Sequence, residues 1–192
     1  MPVSSPEDDD RILNELMSRY QAGDAAAFEE FYTRTRPLVD RYHAAHAIGG
    51  RQASDLTQDT FLQLHRSRRL YDPRLPVVPW LLAIARHVRL MAARTVRRRL
   101  AREVPLEDRD LEPAAPVDEV LHNAMLTQVL ARLPEHYREP IVLHHLLGMS
   151  FRDIAGIVGS SEGGARIRAA RGMAALRVLL DESPPGQPRR AE

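Results

Sequence analysis

The stretch from Leu133 to Arg171 reads LPEHYREPIVLHHLLGMSFRDIAGIVGSSEGGARIRAAR. Leu133-Pro134 opens an apolar segment of helical spacing that should end near Leu147, before Gly148. A short helix is predicted from Ser150 to Val158, a turn at Gly159-Ser160-Ser161, and a final helix from Ser161 to Leu180. A short helix, a glycine-bearing turn and a second helix with arginines on one side form the helix-turn-helix arrangement that sets a helix in a DNA major groove. Ser161 suits the cap of the final helix, where free N–H groups can hold a phosphate. Arg166 and Arg168, with Arg171 one turn beyond, can meet guanine edges in a bidentate manner. Ala165, Ala169, Leu176 and Leu179 provide a separate apolar side, so the arginines are not needed for packing. Glu162, Gly163, Gly164 and Ile167 complete the predicted DNA-facing set, and the glycine pair should loosen the helix start by ~1 kcal/mol. Ser150 and Asp153 resemble a capping box, with Asp in place of Glu or Gln. Pro140 lies inside a predicted helix and should kink it or shift its start.

Upstream of this segment the apolar spacing is also helical. One helix is expected from about Asp10 to Tyr20, with Asp8, Asp9 and Asp10 at its positive end. Asp24 reads as the N-cap of a second helix that should end near Gly49-Gly50. A third begins at Ser54 or Asp55. Tyr71 to Pro76 is a turn, and a long helix follows from about Val78 to Arg102, with Pro79 in its first turn. Residues 103–117 are acidic and contain Pro105, Pro113 and Pro116, which reads as a linker. A further helix runs from near Asp118 to Arg132. The fold class is therefore all-α: a helical domain over 10–102, the linker 103–117, a helix-turn-helix domain over 118–181 and a disordered tail over 182–192.

Charge is distributed more tellingly than its total. The 192 residues sum to a net charge of only +1. Yet Arg86 to Arg102 holds seven arginines and no acid, while Glu107 to Glu119 holds six acids and one arginine. Seven cations on one helix repel each other, so a polyanionic partner is the better explanation for the run. There is no lysine; a GC-rich coding bias explains that at least as well as a preference for bidentate phosphate contacts. There is also no cysteine, which removes disulfides, thiol nucleophiles and cysteine-ligated zinc. Neither a signal peptide nor a membrane span is legible, and the expected location is the cytoplasm.

Three segments, in this order, resemble the extracytoplasmic-function group of bacterial RNA polymerase sigma factors. The first is Asp55-Leu56-Thr57-Gln58-Asp59-Thr60-Phe61-Leu62-Gln63-Leu64. The second is Tyr71-Asp72-Pro73-Arg74 followed by Trp80-Leu81-Leu82-Ala83-Ile84-Ala85-Arg86-His87. The third is Leu133 through Arg171. The resemblance implies that the first segment docks on core polymerase through Asp55, Leu56, Gln58, Asp59 and Leu62. Independently, Asp55, Gln58, Asp59 and Leu62 recur at i, i+3, i+4 and i+7 and so share a helix face. The resemblance further implies that Trp80, Ile84, Arg86, His87, Arg89, Arg94, Arg97 and Arg98 hold the melted −10 strand. Flat or apolar surfaces plus cations are the chemistry single strands require. The third segment is implied to bind the −35 element as duplex, and the linker to thread the nascent-RNA channel. An anti-sigma partner is implied as well.

The chain departs from the family pattern at His87, where Asn is common, and at Met91, where Asp is common. Leu75-Pro76-Val77-Val78 replaces the usual Gly-Ser-Phe loop. Ala169, Ala170 and Met173 stand at positions usually held by basic residues. Without the resemblance, a dimeric helix-turn-helix repressor or activator, or an interaction decoy, would satisfy the same residues. His43 and His46 lie three apart on one helix, but no acid at a suitable offset completes a metal site. No P-loop, dinucleotide fingerprint or nucleophile motif is present in the sequence. The expectation is a non-enzyme with no cofactor, no metal, no small-molecule substrate and no membrane insertion.

Overall fold

A computed structural model describes residues 6–46, 53–103 and 121–181. Among these residues the secondary structure is entirely helical. Helices α1 (Pro6–Gln21), α2 (Ala25–Ala45), α3 (Ala53–Ser67) and α4 (Val77–Glu103) form the N-terminal half. Helices α5 (Leu121–Arg132), α6 (Glu135–Ile141), α7 (Phe151–Val158) and α8 (Glu162–Asp181) form the C-terminal half. The expected linker beyond Glu103, the start of α5 before Leu121, the Gly49-Gly50 stop and the tail from 182 lie outside the described residues.

Local chemistry explains the boundaries. Asp24 caps α2 by accepting from the Ala27 amide at 3.2 Å, and the Arg19 guanidinium pins its other oxygen at 2.7 Å. Ser150 caps α7 by accepting from the Asp153 amide at 3.1 Å. The expected box is only half made: the Asp153 carboxylate accepts from the Ser150 hydroxyl at 2.6 Å, since Asp is one methylene shorter than the usual Glu. Gly159, at φ 69°, closes α7 in the left-handed conformation that a side chain would disfavour. Pro140 does not end its helix. Instead α6 widens directly after it into a π turn over Val142–Leu146, in which the Leu147 amide reaches the Val142 carbonyl at 3.1 Å.

The N-terminal core is built from Met17, Phe31, Val39, Leu64, Leu81 and Leu82, all essentially without solvent contact. The C-terminal core uses Val142, Leu143, Ile154, Ala165 and Leu176. The two halves pack on each other: α7 lies against α4, and α5 and the π turn approach α2. One consequence is that every recognisable functional segment among the described residues is held within a single packed assembly.

Polar ties fix α3 against α2. The Thr57 hydroxyl donates to Asp40 at 2.7 Å. Thr60 donates to the Leu56 carbonyl at 2.7 Å, so its oxygen must accept from His43 Nε2–H at 2.9 Å. His43 is therefore the Nε2–H tautomer, and its buried Nδ1 has no partner. Burial first, then the charges of His46 and Arg89, push its pKa down to about 3. The unfolded chain takes up that proton near 6.5, so it binds more protons than the fold between pH 6.5 and about 3. Stability from this group is complete above pH 6.5 and falls as pH drops through that window, by ~1.4 kcal/mol per pH unit. Urea unfolding at pH 7, 6 and 5 should show the slope, and His43→Gln should flatten it. An equal slope in the variant would refute the assignment.

Candidate nucleic-acid interface

Three exposed surfaces and one buried cluster emerge from the predicted residues. On α3, Asp55, Gln58 and Leu62 are exposed and Asp59 is half-buried, all on the outer face. Leu56 is not part of that face: at 6% exposure it points into the core with Thr57, Thr60, Phe61 and Leu64. Its apolar side chain gains more from burial than from a polar rim. Leu62 is 45% exposed and Met91 46%. They line a groove of about 670 Å³ between α3 and α4, with Asp59, Arg66 and His87 as polar members. Its walls combine apolar side chains with charges of both signs, which suits an amphipathic helical partner.

A smaller recess of about 260 Å³ adjoins the first, sharing Gln63 and His87. Trp80, Ala83, Ile84 and Leu70 form its apolar walls. Trp80 is half-buried with its ring 5.1 Å from that of Tyr71. Its role is thus divided: one part packs, the other presents a flat apolar surface. Leu70, 81% exposed on a 3₁₀ turn over Arg68–Leu70, stands at the rim. His87, Arg94, Arg97 and Arg98 are exposed along α4.

Two of the predicted strand contacts are elsewhere. Arg89 is 5% exposed, and Arg86 lies half-buried beside the C-terminal half. Residues 81, 85 and 89 share one helix face, so Arg89 continues the buried line of Leu81 and Ala85. Its guanidinium donates to Glu135 and Glu139 of α6, and its Nε donates to the Tyr42 hydroxyl at 3.3 Å. Tyr42 in turn donates to Glu139 at 2.7 Å. Arg86 approaches Glu139 at 3.8 Å, and Arg138 approaches Glu135 at 3.4 Å. Burial alone would raise the Glu139 carboxyl, but His46 and Arg89 outweigh it and hold the group well below the usual carboxylate range. Burial together with Glu139 keeps the Tyr42 hydroxyl protonated far above its ordinary value.

His46, Glu135 and Glu139 bring three possible metal-ligand atoms within 4.8 Å of one another. His46 donates through Nδ1 to the Tyr42 carbonyl at 2.8 Å and faces Glu139 through Nε2 at 3.4 Å. The guanidinium of Arg89 already binds both carboxylates. Three arginines surround two carboxylates, so a divalent cation would add repulsion rather than relieve it. Sequence reading missed this cluster because the bonds that join Arg89 and Tyr42 to its carboxylates span 46 to 97 residues. The available signal was Glu139 beside the apolar run from Pro140 to Leu143, a carboxylate on a side that had to be buried.

On α8 the predicted residues lie on the outer face, to differing depths. Ser161 caps the helix by accepting from the Gly164 amide at 3.1 Å. Glu162, Gly163, Arg166, Ile167 and Arg171 are exposed, Gly164 and Arg168 half-buried. Ala165, Ala169, Gly172 and Leu176 form the inner face. Arg166 is held: it donates to Glu162 at 2.9 Å and lies 5.2 Å over the Phe151 ring. The arginine is thereby ordered at the outer face before any ligand arrives.

Comparison with known proteins gives consistent results. The family profile "Sigma-70 region 2" matches residues 31–100, and "Sigma-70, region 4" matches residues 123–176. The RNA polymerase sigma factor CarQ of Myxococcus xanthus is 36% identical over 174 residues, covering 86% of this chain and 96% of that protein. The ECF RNA polymerase sigma factor SigC of Mycobacterium tuberculosis is 33% identical over 188 residues, covering 95% and 97%. In shape the chain is similar to CnrH, solved with the cytosolic domain of CnrY, at a TM-score of 0.70, 24% identity and coverage of 90% and 99%. It is also similar to RpoE of Bartonella quintana, solved with the anti-sigma factor NepR, at 0.67, 24% identity and coverage of 82% and 98%. At that identity the two structures speak to the fold.

Proposed function

The chain belongs to the extracytoplasmic-function sigma factors, dissociable subunits that direct RNA polymerase to promoters, and we propose how its surfaces divide that work. Core polymerase docks on the outer face of α3 through Asp55, Gln58, Asp59 and Leu62, with the adjoining groove taking a helix of the partner. The melted −10 strand lies along α4. One unstacked base enters the recess beside Trp80 and Ile84, where His87 and Gln63 offer polar edges. Arg94, Arg97 and Arg98 track the phosphates. The N-terminal turns of α8 enter the −35 major groove, where the Ser161 cap and the free amides beside it receive a phosphate and Arg166, Arg168 and Arg171 reach base edges. Bond making is left to the polymerase, so the chain itself acts without catalytic residues. An anti-sigma protein competing for the α3–α4 groove is the expected antagonist, and the site of action is the cytoplasm, where polymerase works.

The observation that carries this reading is the continuity of the two recesses. The docking groove and the base recess share His87 and Gln63, so polymerase and strand are received side by side on one helix pair. Run-off transcription with core polymerase, the purified chain and promoter-bearing fragments tests it. Discrete transcripts should require the chain, and Asp55→Arg with Asp59→Arg should lower them at least ~10-fold, since each reversal replaces attraction by repulsion at a charged interface. Undiminished transcription by the double variant would remove α3 as the docking face. A folded wild-type chain that supports no transcription with any fragment would remove the promoter assignment.

A further inference from the structure

The recess beside Trp80 has walls from two different elements. Leu70 stands on the 3₁₀ turn over Arg68–Leu70, and Trp80, Ala83 and Ile84 stand on the first turns of α4. The stretch that joins them, 71–76, is neither helix nor strand. Pro76 stands directly before α4 and offers no side-chain acceptor to the free amides there. Both deficits are met by α1, which carries none of the surfaces assigned above. Asn14 and Gln21 lie two turns apart on one face of that helix. Asn14 Oδ1 accepts from the Val77 amide at 2.8 Å, so α4 is capped from another helix. The same oxygen lies 3.3 Å from the Tyr71 hydroxyl, whose one proton reaches the Leu75 carbonyl at 2.7 Å. Gln21 Nε2 donates to the Arg68 carbonyl at 3.0 Å and to the Tyr71 carbonyl at 2.9 Å, bridging the turn that bears Leu70. Val77 and Tyr71 are 1% and 4% exposed, so polar groups released there have little water to turn to.

We propose that Asn14 and Gln21 are positioning residues for promoter reading: through them α1 sets the gap between Leu70 and Trp80, and so decides which unstacked base the recess accepts. The proposal rests on the assignment of that recess to a −10 base.

Neither amide lines the recess, so both act through its walls. A cavity rejects a wrong shape only if its walls do not yield, since rejection works by clash and by unpaired polar edges. Loss of the Asn14 oxygen releases the first turn of α4 that presents Trp80. Tyr71, whose ring lies 5.1 Å from that of Trp80, is released with it. Loss of the Gln21 donors releases the turn that presents Leu70, which is 81% exposed and has little packing of its own to hold it. In either case the gap can widen, and a base of another size or edge is tolerated. The two amides also work in opposite senses. At Asn14 the oxygen does the bonding, and at Gln21 the NH₂ group does. Changing amide to carboxylate is therefore conservative at one position and disruptive at the other.

The test uses the full chain with core polymerase on four templates of one promoter, each with a different base at the most sensitive −10 position. The readout is the ratio of run-off transcript from the best base to that from the worst. A loss of folded chain lowers all four transcripts alike and leaves this ratio unmoved, so the ratio reports positioning and not stability. Wild type should discriminate at least ~10-fold. Asn14→Asp keeps an acceptor and places it at the positive end of α4, so the ratio should be retained. Gln21→Glu loses both donors and sets a carboxylate against two carbonyls, and should lower the ratio at least ~5-fold, since small misplacements at a binding site are costly. Asn14→Leu should lower it likewise. Should Asn14→Leu fail to fold, the contrast between Asn14→Asp and Gln21→Glu decides alone. An unchanged ratio in both Asn14→Leu and Gln21→Glu overturns the proposal. An Asn14→Asp chain that loses as much as Gln21→Glu overturns it too, because the oxygen would then not be what holds α4. Failure of the underlying assignment looks different: Ala83→Phe, which adds a ring to the recess, would then leave the wild-type ratio as it was.

Discussion

Replacing Gly172 by valine is expected to unfold the C-terminal half at temperatures where the N-terminal half survives. Gly172 is buried on the inner face of α8. A Cβ there would meet Ile141 Cδ1 at 2.6 Å and the Tyr137 Cβ and carbonyl oxygen at 3.1 Å. The Ile141 methyl can rotate away. The Tyr137 carbonyl cannot, because it belongs to the backbone of α6. Alanine would recover ~1 kcal/mol of helix propensity against that clash. Valine loses most of that gain and adds two further methyl groups, so the net cost should reach ~3 kcal/mol, the upper end for overpacking a core. Hydrogen exchange should show lost protection in α6 and α8 and retained protection in α2 and α3. A valine variant as stable as wild type would mean that the two helices can part without cost.

The mirror experiment is Phe31→Ala, for which ~4 kcal/mol of lost stability is expected. Phe31 has no solvent exposure and sits among the side chains of the N-terminal core. Its removal leaves a cavity that neighbouring helices, tied at Thr57 and Thr60, cannot collapse to fill. Denaturant titration with a fluorescence signal from Trp80 should report the loss. Trp80 is the chain's single tryptophan and lies in this half. If protection is lost in α8 as strongly as in α2, the halves unfold as one unit. Loss confined to α1–α4 would mean that each half stands on its own.

Much of this arrangement is legible in the order of the residues. Helix periodicity, the Asp24 cap, the Ser161 cap and the glycine at 159 are local signals, and each stands where its neighbours in the chain predict it. The outer residues of α3 and α8 are legible for the same reason: a face is defined by spacing within one helix. Leu56 was misplaced because family resemblance names a segment, not a face, and only its i+4 and i+8 partners Thr60 and Leu64 reveal its direction. Arg89 was misplaced because an arginine run invites a single explanation. Its alignment with Leu81 and Ala85 was the contrary signal. What spacing could not supply is its partner, since Glu135 and Glu139 arrive from a distant helix. The π turn was equally illegible. Pro140 announced a disturbance, and whether the helix breaks, bends or widens is decided by what packs around it.

The threonine ties between α2 and α3 have a mechanical consequence. Asp40 pairs with Thr57 and His43 with Thr60, a step of three residues on both helices. Axial slip of either helix would break both bonds at once and strand buried polar atoms, at ~1–3 kcal/mol for each group left unpaired. The two helices are therefore pinned as one rod. That rod carries the outer face of α3, the proposed docking side, on one flank and Tyr42, bonded to Glu139, on the other. Force applied by a partner gripping α3 has a stiff load path to the seam between the halves.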